Sequence, residues 1–135
     1  MASLEEALYS KLTSDTTLMA IATGGVYNSL AIQSATYPLI LFQQIRGTDQ
    51  YTFTRRVSTQ HRYQIKCINE GYDNEPCRAA MERIDTLLTD QTLTVTGKTF
   101  WMARRISEFA YAEPALSGKA YQHVGGDWLI ELAPA

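Results

Sequence analysis

The chain has 135 residues, 12 Lys and Arg against 14 Asp and Glu, and a formal net charge of −2, with 45% of its residues hydrophobic. That length reads as a single domain over residues 1–135, long enough to bury a core without metal or disulfide support. The faint acidity argues against a dedicated DNA-binding protein, which is basic as a whole, and no apolar run approaches the ~20 residues that span a bilayer, so no membrane partner is expected.

The opening MASLEEALYS carries acids where a signal peptide needs a basic start and an apolar run. Folding in a cytosol is therefore expected, with Cys67 and Cys77 reduced. Ser3 followed by Glu6 is a capping box. Leu4, Leu8 and Leu12 then recur one turn apart, which predicts an amphipathic helix over residues 4–14. Asp15 or Thr16 caps a second short helical turn through Leu18, Met19 and Ile21, and Gly24-Gly25 ends it.

A polar loop from Asn28 to Tyr37 leads to Pro38 and a strand, PLILFQQI. Residues 51–57 read as extended. Arg62–Asn69 is a strand with Tyr63, Ile65 and Cys67 on one face and Arg62, Gln64 and Lys66 on the other. In GYDNEPCRAAMERIDTLLTD, Asn74 or Asp73 caps a helix and Pro76 takes an early position. There Cys77, Ala80, Met81, Ile84, Leu87 and Leu88 form an apolar stripe at helical spacing.

TLTVTG is a short extended piece before a turn at Gly97-Lys98. TFWMARRISEFAYA is strand-like, but its alternation slips near Arg104-Arg105 and predicts a bulge or a strand end. After Pro114 and LSGK comes a last strand, Tyr121 to Leu132, with a second bulge expected at Gly125-Gly126. This order predicts an α+β fold. It has a mainly antiparallel sheet, an N-terminal helix, one long amphipathic helix packed on the sheet, and an extended β-arm.

Catalytic chemistry finds little support. Cys77 near a helix start, with His61 or His123 as base, has residue types suited to nucleophilic catalysis. Nothing in the sequence brings them together, and a small cysteine opening an apolar stripe is ordinary core. Cys67, Cys77, His61 and His123 fit no zinc spacing. The glycine pairs in TGGVYN and VGGDW lack the spacing of a phosphate-cradling loop. The chain reads as a non-enzyme with no cofactor and no metal.

Its charge is distributed unevenly. Between Arg46 and Lys66, five cations (Arg46, Arg55, Arg56, Arg62 and Lys66) face one acid, Asp49. Three readings compete: a nucleic-acid grip, a grip on another copy of the protein, or a solvated strand face. Tyr51, Phe53 and Tyr63 interleave with Arg55, Arg56 and Arg62, a pattern that binds single strands by stacking and charge. A small single-stranded nucleic-acid-binding module is the alternative function. Residues 46–61 look too long and polar for a tight hairpin turn, and an arm over 46–62 could meet an acidic surface on a neighbour. From Ile106 onward Glu108, Glu113, Asp127 and Glu131 outnumber Lys119, and opposed charges on different faces suit a head-to-tail contact.

An N-terminal SLEEALYSKLTSD helix, a glycine-terminated LMAIATGGVYN, a YPLILFQQI strand and YQIKCINEGYDNEPCRAAMERIDTLL as strand-turn-helix resemble, over nearly the whole chain, one phage family. It is the tail-terminator (tail-completion, or tail-to-head joining) proteins of long-tailed bacteriophages. The resemblance implies an α+β subunit of a hexameric ring at the head-proximal end of the tail tube. Such a ring stops tube polymerisation and presents a joining surface to the head connector, while DNA passes through its centre without sequence-specific binding. It further implies a virion protein assembled in the host cytoplasm, with Gly24, Gly25 and Tyr27 as structural matches and no catalytic residues. The segments around Arg104-Arg105 and Gly125-Gly126 depart from the family's pattern and leave open which edge joins the neighbouring subunit. On this reading Arg46, Arg55, Arg56 and Arg62 belong to an arm at a subunit or tube interface, with Glu108 and Glu113 on the facing surface.

Overall fold

A computed structural model describes residues 3–30, 35–114 and 120–134. The first helix, α1 (Leu4–Thr13), starts where the Ser3 hydroxyl accepts the Glu6 amide at 3.2 Å, and it buries Leu4, Leu8 and Leu12. Asp15 caps α2 (Thr16–Ile21) by accepting the Leu18 amide at 2.9 Å. Gly25, at φ +100°, turns the chain into β1 (Val26–Asn28). Its neighbour Gly24 lies so close to the Thr36 carbonyl that no Cβ fits there.

The remaining elements are β2 (Leu39–Tyr51), β3 (Arg56–Glu70), α3 (Glu75–Leu88), β4 (Lys98–Pro114) and β5 (Ala120–Pro134). They form one sheet in the order β1-β2-β3-β5-β4, antiparallel at each pairing except β1 with β2. The fold is thus α+β with a mainly antiparallel sheet, as the element order predicts. The parallel β1 was not expected: it occupies the three residues that lead from Gly25 into the polar loop, overlapping that loop only at Asn28.

The helices cover one face of the sheet. Register pairs Phe42 with Ile65 and Tyr63 with Trp128 in two adjacent cross-strand rows on that face, and all four are buried. Leu8, Leu12 and Leu18 from the first two helices and Cys77, Ala80, Met81, Ile84 and Leu88 from α3 close over them. Arg83 on α3 clasps Asp15 with two hydrogen bonds of 2.8 Å, tying the N-terminal helices to it. That guanidinium, foremost, holds the Asp15 carboxyl below the usual carboxylate range.

Two expectations for the C-terminal half separate. β4 does slip register, between Phe100 and Met102 and between Arg105 and Ser107. β5 runs unbroken through Gly125-Gly126, so the second bulge is absent. Those glycines answer to close approach instead: a Cβ on Gly125 would stand 2.6 Å from the Ile65 carbonyl oxygen, and one on Gly126 would stand 2.7 Å from that of Ser107. Residues 91–95 form no strand, although Leu93 and Val95 are buried. The turn expected at LSGK and part of the polar loop after Asn28 lie outside the described residues.

Candidate functional site

Residues Gln43–Tyr51 of β2 carry no alternating apolar pattern and so have no face to bury. Every one of them is exposed. The segment stays extended because β3 supplies a hydrogen-bond ladder out to Tyr51↔Arg56, and β3 is held in turn by β5 from Thr59↔Leu132 onward. β1 covers only Ile40–Phe42, so among the described residues the other edge of β2 has no strand partner from Gln43 to the tip. Residues 46–61 are indeed no tight turn but the distal parts of two paired strands, and the expectation that gives way is the extended reading of 51–57, which holds the turn. Both strands run on to a turn at residues 52–55, where the Thr52 amide and hydroxyl donate to the Arg55 carbonyl at 2.8 and 3.2 Å. Phe53 stands on this turn, 110% exposed relative to its reference, beside an exposed Tyr51.

The candidate interface residues fall into two groups. Arg62 gives two hydrogen bonds, 2.7 and 3.2 Å, to Asp127 Oδ2, which also accepts from Ser107 at 3.2 Å. The need for that carboxylate follows from register: Arg46 sits directly opposite Arg62, and like charges so placed repel. Ser58 donates to Glu131 at 2.6 Å. Two acids assigned to a surface for a neighbour, Asp127 and Glu131, are therefore engaged within their own sheet. Arg56 reaches Asp49 at 3.6 Å. Glu108 lies 3.5 Å from Arg105, and that arginine also approaches Asp85 on α3 at 4.0 Å.

Arg46 and Arg55 have no ion pair among the described residues. The distal hairpin thus presents two exposed aromatics, Tyr51 and Phe53, and two cations without an ion pair among the described residues. Its aromatic-basic pattern is thinner than the sequence suggests. Tyr63 lies in the core and Arg62 is paired, which leaves Tyr51, Phe53 and Arg55 as the surface part.

Two further clusters escape sequence reasoning. On the uncovered face, His123 is 5% exposed, lies under the Tyr111 ring (centroids 4.5 Å, planes 7° apart) and has Glu113 at 3.8 Å. Burial first, then the Lys66 cation, pushes its pKa below the ordinary histidine value, against Glu113. Tyr111 accepts from Lys66 Nζ at 3.4 Å. The second is a cleft of about 410 Å³ between α1 and β2, lined by Glu5, Glu6, Tyr9, Asn28 and Phe42 among others. Only the topology, by laying α1 beside β1 and β2, brings those residues together.

The catalytic set does not assemble. Cys77 neighbours Cys67, and its thiol faces the Gln122 carbonyl at 3.9 Å. The Cys77 thiol, with burial, pushes the Cys67 thiol up. His61 and His123 point to opposite faces of the sheet, as their register to Ile130 and Ile68 requires. Among the described residues no three His, Cys, Asp or Glu side chains are grouped to hold a metal. No described helix is long and apolar enough to cross a membrane.

Among solved structures, a chain from the virion of a native gene transfer agent (GTA) particle superposes with a TM-score of 0.74. The identity is 16%, and the match covers 96% of this chain and 95% of that one, which establishes a shared fold. No curated protein sequence matches. The family model described as Tail completion protein gp17 matches residues 6–118, from α1 through β4. The chain therefore belongs to the tail completion protein gp17 family, and is a structural protein of a phage tail and a component of the virion.

Proposed function

We propose that the protein assembles into a ring, six copies around, that caps the head-proximal end of the tail tube. The ring stops tube polymerisation and offers the joining surface for the head connector, while DNA crosses its lumen without sequence-specific contacts. The observation that carries this reading is the distal β2–β3 hairpin, exposed on both faces along Gln43–Tyr51 and ending in a bare Phe53. A monomer gains nothing from holding such an element out in water, whereas a head-to-tail neighbour can cover it and close a ring.

The cations on this hairpin extend the reading. Arg46 and Arg55 have no ion pair among the described residues, so they are available to carboxylates on a neighbour or on the tube protein, and Glu108 and Glu113 lie at the sheet's opposite edge. The decisive experiment adds the purified protein to growing tail tubes. Elongation should stop, and electron microscopy should show a six-membered ring at one tube end. The double variant Arg55→Glu, Arg56→Glu should neither form rings nor cap. Tubes that grow unchanged in the presence of the parent protein would refute the function; a double variant that caps normally would refute the hairpin's part in it.

A further inference from the structure

The hairpin tip and the α1–β2 cleft are opposite in charge and each carries an exposed aromatic ring, yet no single chain can join them. Phe53 is the most exposed large apolar side chain described, and Arg55 beside it has no ion pair. Tyr9, half exposed, gives the cleft an aromatic wall beside the buried Phe42, and Glu5 and Glu6 line it as well. Glu5 accepts a hydrogen bond from Asn28 at 2.6 Å, while Glu6 has no ion pair among the described residues. Phe42 and Tyr51 lie on one strand nine residues apart, which at ~3.3 Å per residue separates cleft and tip by about 30 Å.

Resting on the ring reading above, we propose that the Phe53 ring of one copy seats in the α1–β2 cleft of the next, with Arg55 against Glu5 and Glu6. Knob and socket at opposite ends of β2 make the contact heterologous, the kind that propagates around a ring. The larger cleft of about 530 Å³ beneath α1 is a poorer socket. Lys11 lines it, and its one acid, Asp15, is already spent on Arg83, so an approaching Arg55 meets net repulsion there. A buried aromatic anchor with a flanking arginine is the usual form of an interface hot spot.

The test combines light scattering with cross-linking, on the protein alone and on tail tubes. Phe53→Ser removes nothing from the folded monomer and should weaken self-association about tenfold or more. Glu6→Arg and Arg55→Glu should each weaken it, and the two together should restore it. A Thr54→Cys, Ser10→Cys double variant, which keeps Phe53 and Tyr9 and places thiols beside the knob and in the cleft lining, should give a covalent ladder of copies with a short bis-maleimide; Cys67 and Cys77 are buried and stay unreactive. If the parent assembles but the ladder is absent and Phe53→Ser assembles equally well, the knob-and-cleft contact is wrong and the ring survives. If the parent assembles neither alone nor on tubes, both are wrong.

Discussion

Replacing Gly125 by alanine probes whether this glycine is there to let two strands approach. Its new Cβ would lie 2.6 Å from the Ile65 carbonyl oxygen and from Lys66 Cβ, and 2.8 Å from Lys66 Cα. Ordinary contact begins near 3.4 Å, so β3 and β5 would have to part by about 0.8 Å. The obstructing atoms include backbone of the central strand, which is paired on both sides and has little room to yield. Overpacking of this kind costs about 1–3 kcal/mol, and the entropy alanine removes from the unfolded chain returns only ~0.4–1. A net loss of about 1–2 kcal/mol is expected, roughly a five- to thirtyfold drop in the folding constant. Gly47→Ala is the control, because its Cβ would meet only the movable Gln44 amide at 3.1 Å; it should be neutral or stabilise by up to ~1 kcal/mol. Urea unfolding at fixed protein concentration, with both variants sharing the parent's m-value, reads the difference. A Gly125→Ala midpoint indistinguishable from the parent's, or an equal loss at Gly47, would refute the close-approach argument.

Acid should act through both histidines. Burial foremost lowers the pKa of His61, helped by Lys98 against Asp49, and likewise that of His123, helped by Lys66 against Glu113. The folded state therefore resists protons that the unfolded chain accepts, so stability is full above the ordinary value of 6.5 and falls as pH drops below it. Urea midpoints between pH 8 and 5.5 should show that decline, and His123→Gln should flatten it; an unchanged slope would contradict the assignment. At Asp15, alanine removes both the α2 cap and the Arg83 partner, and the lost cap alone should cost about 1 kcal/mol. Asn keeps the capping oxygen and should lose less in the same assay, while the parent's Asp15 contribution is present above pH 3.8 and is lost as pH falls through the depressed folded value.

What the amino-acid sequence determined by itself is what local periodicity and capping encode. Leu4, Leu8 and Leu12 mark the buried side of α1, and Asp15 or Thr16 marks the start of α2, with the structure deciding for Asp15 as its cap. Tyr63, Ile65 and Cys67 mark the core face of β3, and the broken alternation at Arg104-Arg105 marks the slip in β4. Each depends on neighbours within a turn or a pleat, whose spacing is set by backbone geometry. What only the tertiary structure decided depends on strand partners far away in sequence. The arm expected over 46–62 is the distal part of a β2–β3 hairpin, an arrangement no residue pattern there encodes, because β3 provides the hydrogen bonds of its first strand and no packing is asked of that strand's side chains. Gly125-Gly126 reads like a break and is an unbroken stretch, because the reason for glycine lies on β3 and β4. Arg62 looks available to a partner until β5 places Asp127, 65 residues on, beside it. The α1–β2 cleft is likewise invisible in one dimension, since Glu6, Tyr9 and Phe42 meet only after the sheet has formed and α1 has docked beside it.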